Sequence, residues 1–232
     1  TKLTLGTGAF VLTNIGGTVP SSPGKLLGTV LCDVDGQRSY ALEGAIFVAG
    51  SLIKWLRDNL GIVTTAAETE ALARSVPDSG GVVLVPALSG LGAPYWKPHA
   101  TASITGLSFS STRAHIARAA LEAVSHQLVD LSAAFDAAGA GWNALCLDGG
   151  MAANDWLAQD LADMIRVPVA RPTDVETTAR GAALLASVGA GYYPDLQTAA
   201  HAMLPAVRSF QPQPNAERES RLQRWRHMID QA

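Results

Sequence analysis

Long apolar runs are missing from this sequence of 232 residues. None approaches the roughly 18 apolar residues that a membrane-spanning helix needs, and no signal peptide is visible, so no membrane insertion is expected. Charge is scarce too: charged residues make up 16 %, the net charge is -3, and like charges form no run. That argues against nucleic acid or an anionic membrane as the main partner, and a small anionic ligand would have to be held by local features. Only two cysteines occur, Cys32 and Cys146, each within an apolar run. Reduced, buried thiols and a cytoplasmic setting are the expectation. The five histidines, His99, His115, His126, His201 and His227, lack ligand spacing such as HxxxH, and no cysteine pairs with them. No metal site is expected in this chain. An initiator methionine is also missing, and the chain reads as a piece of a longer protein. What is present is 48 % hydrophobic sequence, enough for one large core or two modest ones, with no internal repeat or low-complexity tract.

The hydrophobic pattern changes character along the chain. Leu3 to Leu5 and Ala9 to Ile15 are β-prone runs separated by Gly6-Thr7-Gly8, and Leu26 to Val34 follows a Pro/Ser/Gly loop. Asp35-Gly36 is a hairpin signal that would return Gln37 to Leu42 antiparallel to the run before it. From Ala45 to Leu60 the apolar residues keep helical spacing, with Gly61 as a C-cap. A polar helical stretch near Ala66 to Arg74 and a short buried strand at Val82 to Pro86 precede a Gly- and Pro-rich segment that cannot be helical. Thr112 to about Ala138 has one broad apolar face and the length of a spine. A strand ending at Asp148, a helix over Asn154 to Ile165, a strand over Val167 to Ala170 and a helix over Thr177 to Ala190 then alternate. A meander followed by β-α-β-α predicts a mixed α/β sheet with flanking helices.

Two glycine turns stand out for chemistry. Gly149-Gly150 stops a strand and starts a helix; it is either a plain turn or a surface without side chains where a nucleotide settles against backbone N–H groups. Gly6-Thr7-Gly8 is either a hairpin turn or a cradle that offers backbone N–H groups and the Thr7 hydroxyl to phosphate oxygens.

Six segments in one order settle a resemblance. Gly6-Thr7-Gly8, YALEGAIFVAGSLIKWLRD from Tyr40, VPALSGLGAPYW from Val85, ASITGLS followed by HIARAALE, LDGGMAAN and ETTARGAALLA together resemble the C-terminal half of the FGGY carbohydrate kinases, most like the glycerol kinases among them. The resemblance covers nearly the whole chain. It implies a ribonuclease H-like, actin-like ATPase fold with a mixed five-stranded sheet, and residues 1–232 as the nucleotide-binding C-terminal domain. It further implies ATP and Mg2+ as cofactors, a small polyol such as glycerol as substrate, the protein's own N-terminal domain as partner, and a cytoplasmic homo-oligomer. Phosphorylation of a pentulose or another polyol is the alternative within the family, and a non-catalytic actin-like nucleotide-binding module the alternative outside it.

The same resemblance assigns roles by position. Gly6, Thr7 and Gly8 would hold the terminal phosphates. Gly149 and Gly150 would let the adenosine and inner phosphate lie on backbone, with Asn154 reaching the nucleotide from the next helix or serving simply as its N-cap. Gly50, read as lying within a helix, calls for a cause such as a closely approaching ligand or tight packing. Lys54 stands where glycerol kinases usually carry Gln. Phe10 matches an aromatic that covers the polyol and could equally be core. Asp148 could orient a phosphate-bound water or metal, or merely cap its strand, and Ala182 and Ala183 lie on a helix that borders the interdomain hinge. The catalytic Asp of the family lies upstream of the Gly6–Gly8 turn, so no catalytic residue is expected in this chain. Where the family reads D-P-x-A-R-G, this chain has Lys97-Pro98-His99-Ala100-Thr101-Ala102, Asp and Arg being replaced together.

Overall fold

A computed structural model of the chain describes residues 1–20, 24–34 and 36–232, without the side chains of 33 and 34. Four strands open it: β1 (Lys2–Leu5), β2 (Ala9–Gly16), β3 (Leu27–Val34) and β4 (Gln37–Ile46). They form the antiparallel meander expected, with β4 paired to both β2 and β3. Asp35 of the hairpin signal lies outside the described residues. Three later strands, β7 (Leu145–Asp148), β8 (Val169–Pro172) and β9 (Val207–Phe210), extend the sheet to seven strands in the order β3-β4-β2-β1-β7-β8-β9. The pairs β1–β7 and β7–β8 are parallel, and the others antiparallel. A separate ladder of β5 (Val83–Val85) and β6 (Ser103–Thr105) stands apart from this sheet. The sheet is thus mixed as expected, with seven strands rather than five.

One face of the sheet is core. Leu3, Leu5, Val11, Leu145 and Leu147 are all fully buried. The spine helix α3 (Arg113–Ala137) lies on that face, its Leu131 against Gly44, where a Cβ would come within 2.6 Å of a leucine methyl. Its first turn is closed by the Thr112 N–H donating to His115 Nδ1 at 3.0 Å. Beside it lies α4 (Asp155–Ile165), capped by Asn154.

The structure corrects three expectations. The apolar spacing from Ala45 to Leu60 is not one helix: Ala45 and Ile46 complete the β4 ladder opposite Phe10 and Ala9, and the helix α1 spans only Gly50–Asp58. Sheet pairing overrides a spacing that continues helical periodicity by coincidence. Gly50 therefore opens a helix instead of interrupting one. The cysteines are free but exposed, not buried. Cys146 sits between Leu145 and Leu147, which point into the core, so alternation turns its thiol to the opposite side of the strand, where it is exposed.

After α5 (Thr177–Gly189), expected over Thr177 to Ala190, the chain carries α6 (Leu196–Ala202), β9 and α7 (Arg218–Gln231), none of which the sequence pattern anticipates. Trp225 of α7 is fully buried, and its indole N–H donates to Asp130 at 2.7 Å, on the oxygen that also accepts from Tyr95. Arg221 makes a two-pronged pair with Asp160 at 2.7 and 2.9 Å and faces Glu122 at 3.6 Å, while Arg118 bonds the other oxygen of Glu122. Burial works against ionisation of Asp160, yet the Arg221 guanidinium holds its carboxyl below the usual range. Lys97, at the replaced Asp position, donates to the Ile229 and Ala232 carbonyls and so caps the C-terminal end of α7. Among the described residues, no helix is long and apolar enough to cross a membrane.

Candidate nucleotide site

Three backbone segments meet at the ends of β1 and β7. The turn Gly6-Thr7-Gly8 leaves β1 and is gripped by the start of α1: the Gly50 N–H donates to the Gly6 carbonyl at 2.9 Å, and the Ala49 and Ser51 N–H groups to the Thr7 carbonyl, both at 3.0 Å. The Ser51 hydroxyl adds a third bond to that carbonyl at 2.9 Å. The N–H donors of Ala49, Gly50 and Ser51 are therefore spent on the glycine turn, and that of Leu52 on the Ala49 carbonyl. Thr7 itself is exposed.

The glycines differ in what makes them glycine. At Gly50 a Cβ would lie 2.4 Å from the Gly6 carbonyl oxygen, at Gly8 2.4 Å from that of Ile46, and at Gly149, whose φ is +90°, 2.5 Å from that of Leu5. These three are required by backbone packing within the chain. Gly150 has nothing within 4 Å of a Cβ. No contact of the fold explains its missing side chain, and it faces open space.

That space is a cleft of about 390 Å³ walled by Gly50, Ile53, Lys54 and Arg57 of α1, by Ala66, Ala67, Thr69 and Glu70, and by Gly150, Met151, Ala153 and Asn154, with Leu121 of α3 as its floor. A second lobe of about 400 Å³ adjoins it, sharing Gly50, Lys54, Gly150 and Met151 and adding Gly6, Thr7 and Ser51. Both lobes are lined mainly by apolar surface; the second adds glycine backbone and the Thr7 and Ser51 side chains, which suits a phosphate chain, as the first suits a base with its sugar. Gly150 starts a short 3₁₀ turn, Gly150–Ala153, whose leading N–H groups have no acceptor inside it.

Of the residues expected at the site, Gly6, Thr7, Gly50, Lys54, Gly150 and Asn154 border this double cleft. Asn154 also does the plainer job, its Oδ1 accepting from the Leu157 N–H at 2.9 Å and its amide donating to Thr69 at 3.3 Å. Gly8 and Gly149 shape the cleft from behind without lining it. Phe10 lies outside both lobes; it is 47 % exposed, so it is not core. Asp148 is elsewhere, in a groove on the outer sheet face, paired with Lys2 at 3.0 Å and accepting from the Thr177 hydroxyl. The wall from Ala66 to Glu70 escapes sequence reasoning. Its one local signal is Thr69, a polar residue that proves to be 2 % exposed in the short helix α2 (Glu68–Arg74). Glu70 is the cleft's one carboxylate among the lining residues, and both its oxygens are engaged, by the Asp155 N–H and by Arg74.

Known proteins share this sequence and fold. The family described as the FGGY family of carbohydrate kinases, C-terminal domain, matches residues 1–190. The glycerol kinase of Rhodospirillum centenum is 56 % identical over 194 residues, covering 84 % of this chain and 39 % of that protein. That of Aromatoleum aromaticum is 50 % identical over 233 residues, covering 100 % of this chain and 47 % of its own length. The chain thus spans less than half the length of these relatives. Among solved structures, Plasmodium falciparum glycerol kinase with ADP superposes with a TM-score of 0.88 at 31 % identity, over 99 % of this chain and 46 % of that one. A xylulose kinase from Lactobacillus acidophilus, at 20 % identity and a TM-score of 0.83, shares the fold. By this family match and these identities, the chain belongs to the FGGY family of carbohydrate kinases, as a counterpart of their C-terminal domain.

Proposed function

We propose that residues 1–232 are the nucleotide-binding C-terminal domain of an ATP-dependent glycerol kinase, which transfers the terminal phosphoryl group of ATP to a glycerol hydroxyl. The observation that carries this reading is Gly150: a position with no packing reason to lack a side chain, at the junction of the two lobes of the cleft. The glycerol kinase relatives support the substrate.

In this reading the adenosine lies between Ile53 and the Gly150–Ala153 turn, over Leu121, and the phosphates run toward Thr7. Phosphoryl transfer depends mostly on positioning and charge stabilisation, and this half supplies one wall of each. Glu70 is tied to the Asp155 N–H and to Arg74, and in this reading the base is the Asp that the family resemblance places upstream of the Gly6–Gly8 turn. Among the described residues, no group of three or more His, Cys, Asp or Glu could hold a metal. The Mg2+ that accompanies ATP in this reading has no ligand cluster here. Phe10, exposed just beyond the Gly6–Gly8 turn, would offer an apolar cover to the C–H side of the polyol. The exposed free thiols suit the reducing cytoplasm, and a homo-oligomer belongs to the same reading.

Calorimetric titration with ADP tests it. Weak binding is expected from a single wall of a two-walled cleft, and Gly150→Val should abolish it by filling the shelf. A variant that binds ADP as well as the parent would reduce the Gly149-Gly150 stretch to a turn.

A further inference from the structure

The two sides of the first lobe come from different elements. Its shelf, the Gly150–Ala153 turn, runs directly into Asn154 and α4, whereas the opposite wall is the start of α2 with Ala66 and Ala67 before it. Two side-chain hydrogen bonds join them. Glu70 Oε2 accepts from the Asp155 N–H at 3.0 Å, and the Asn154 amide donates to the Thr69 hydroxyl at 3.3 Å. The first is the stronger, because Asp155 opens α4 and its N–H is one of the donors that a helix leaves without a partner of its own, at the positive end of the helix dipole. A carboxylate is the acceptor such a donor favours. Each side is anchored in turn. The other Glu70 oxygen accepts from Arg74 Nε at 3.0 Å and from a terminal Arg74 nitrogen at 2.9 Å, one turn along α2. Across the lobe, Arg171 of β8 donates to the Ala152 carbonyl of the shelf at 2.6 Å and pairs with the Asp155 carboxylate at 2.9 Å, and Arg208 of β9 pairs with the same carboxylate at 2.5 Å. The shelf is thus fixed to the sheet by arginines, and the α2 wall is fixed to the shelf by Glu70.

We propose, on the basis of the nucleotide-site reading above, that Glu70 is a positioning residue: by holding the Asp155 N–H it sets the width of the base lobe, and through that width the preference of the domain for purine over pyrimidine nucleotides. Glu70 needs no contact with the nucleotide for this. A double ring covers more apolar surface than a single one, and the gain is realised only while the walls are close enough to touch it. Ala66 and Ala67 are the apolar surface that the α2 wall brings to the lobe. A wall no longer tied to the shelf surrenders the contacts of the larger base first.

Calorimetry with ADP and with UDP, on the parent chain and on Glu70→Ala, Glu70→Gln and Gly150→Val, tests it, with a thermal melt of each sample. Glu70 is part-exposed on a short helix, and alanine suits a helix, so Glu70→Ala should fold. It should lower the ratio of ADP to UDP affinity by about three- to tenfold, a fraction of what one hydrogen bond to a charged group is worth, by weakening ADP more than UDP. Glu70→Gln keeps an acceptor for the Asp155 N–H and should retain most of the parent's ratio, although it gives up the ion pair with Arg74. A role confined to stability would lower the melting temperature of Glu70→Ala and leave the ratio at the parent's value; that result overturns the proposal and spares the nucleotide site. So does a parent that binds ADP and UDP equally, or a Glu70→Gln variant that loses the ratio as fully as Glu70→Ala, since charge and not the held N–H would then be at work. A parent that binds neither probe, or a Gly150→Val variant that binds both unchanged, overturns the nucleotide site and this proposal with it.

Discussion

Replacing Gly50 and Gly150 each by alanine should separate two reasons for a glycine. At Gly50 the new Cβ would sit 2.4 Å from a backbone oxygen, so the Gly6–Gly8 turn must retreat by something near 1 Å to restore ordinary contact. That turn is held to α1 by four hydrogen bonds, three from N–H groups and one from Ser51 Oγ, and the retreat stretches them all. Overpacking of this kind costs about 1 to 3 kcal/mol, and a weakened hydrogen bond adds about 1 kcal/mol. Against this, alanine gains less than about 1 kcal/mol of helix propensity at a first helical position. The net loss is about 1 to 4 kcal/mol, which for a domain of this size lowers Tm by roughly 2 to 16 °C. At Gly150 the Cβ meets nothing, and its φ lies outside the left-handed region, so Tm should hold or rise slightly. Circular dichroism melts measure both, and ADP titration of the same samples completes the test. Gly150→Ala should melt like the parent while binding ADP more weakly; Gly50→Ala should melt early. Equal melting temperatures for Gly50→Ala and the parent would refute the packing argument, and an early melt for Gly150→Ala would refute the claim that its space is kept for a ligand.

Other outcomes follow from the same structure. The chain alone should show no turnover with glycerol, ATP and Mg2+ in a coupled ADP-release assay, because the base is the Asp that the family resemblance places upstream of the Gly6–Gly8 turn; activity surviving repurification would contradict this. Burial, helped by the nearby Arg221, pushes His126 down to about 3. Its folded pKa lies below its unfolded value of about 6.5, so its contribution is complete above pH 6.5 and is lost as pH falls toward the folded value, at up to about 1.4 kcal/mol per pH unit. His126→Phe, which keeps the ring contact with Trp225, should flatten that part of the urea midpoint against pH. Arg221→Met leaves Asp160 and Glu122 buried without their shared partner and should cost about 3 to 5 kcal/mol in urea unfolding. Lys97→Met should cost about 1 kcal/mol and speed hydrogen exchange in the last turn of α7, where its carbonyl bonds are lost.

The sequence was most legible where local pattern and final structure obey the same rule. The spine helix, the Asn154 cap and the strand before Gly149 depend on nearby periodicity and on a side chain bonding its own backbone, and each lies within a residue or two of its expected place. Ala45 and Ile46 failed because their partners, Phe10 and Ala9, are distant in sequence and no local spacing reports them. Cys146 failed because an apolar run was read as buried throughout, when alternation along the strand leaves its thiol exposed. At the site, the resemblance brought six residues to one cleft, but a glycine in a sequence carries no label for its cause. Gly50 and Gly149 are glycine to let carbonyls approach, and only coordinates separate them from Gly150. The last quarter gave little because α7 has a weakly amphipathic pattern, and its buried Trp225 and Arg221 are matched by partners on other helices.

The parallel pairing of β1 with β7 also sets an order in time. Lys2 leaves the ribosome long before Cys146, the residue it will lie beside, and the roughly 140 intervening residues take on the order of ten seconds to make. Until β7 emerges β1 lacks the parallel strand it will pair with, and until α3 emerges the inner face with Leu3, Leu5 and Val11 lacks its spine helix. An open edge beside an apolar face is a template for pairing with another nascent chain. Protein synthesis at high expression should therefore lose material to aggregation before β7 emerges, and slower translation of residues 1–148 should lower the soluble yield, while chaperones that shield apolar surface on nascent chains should restore it.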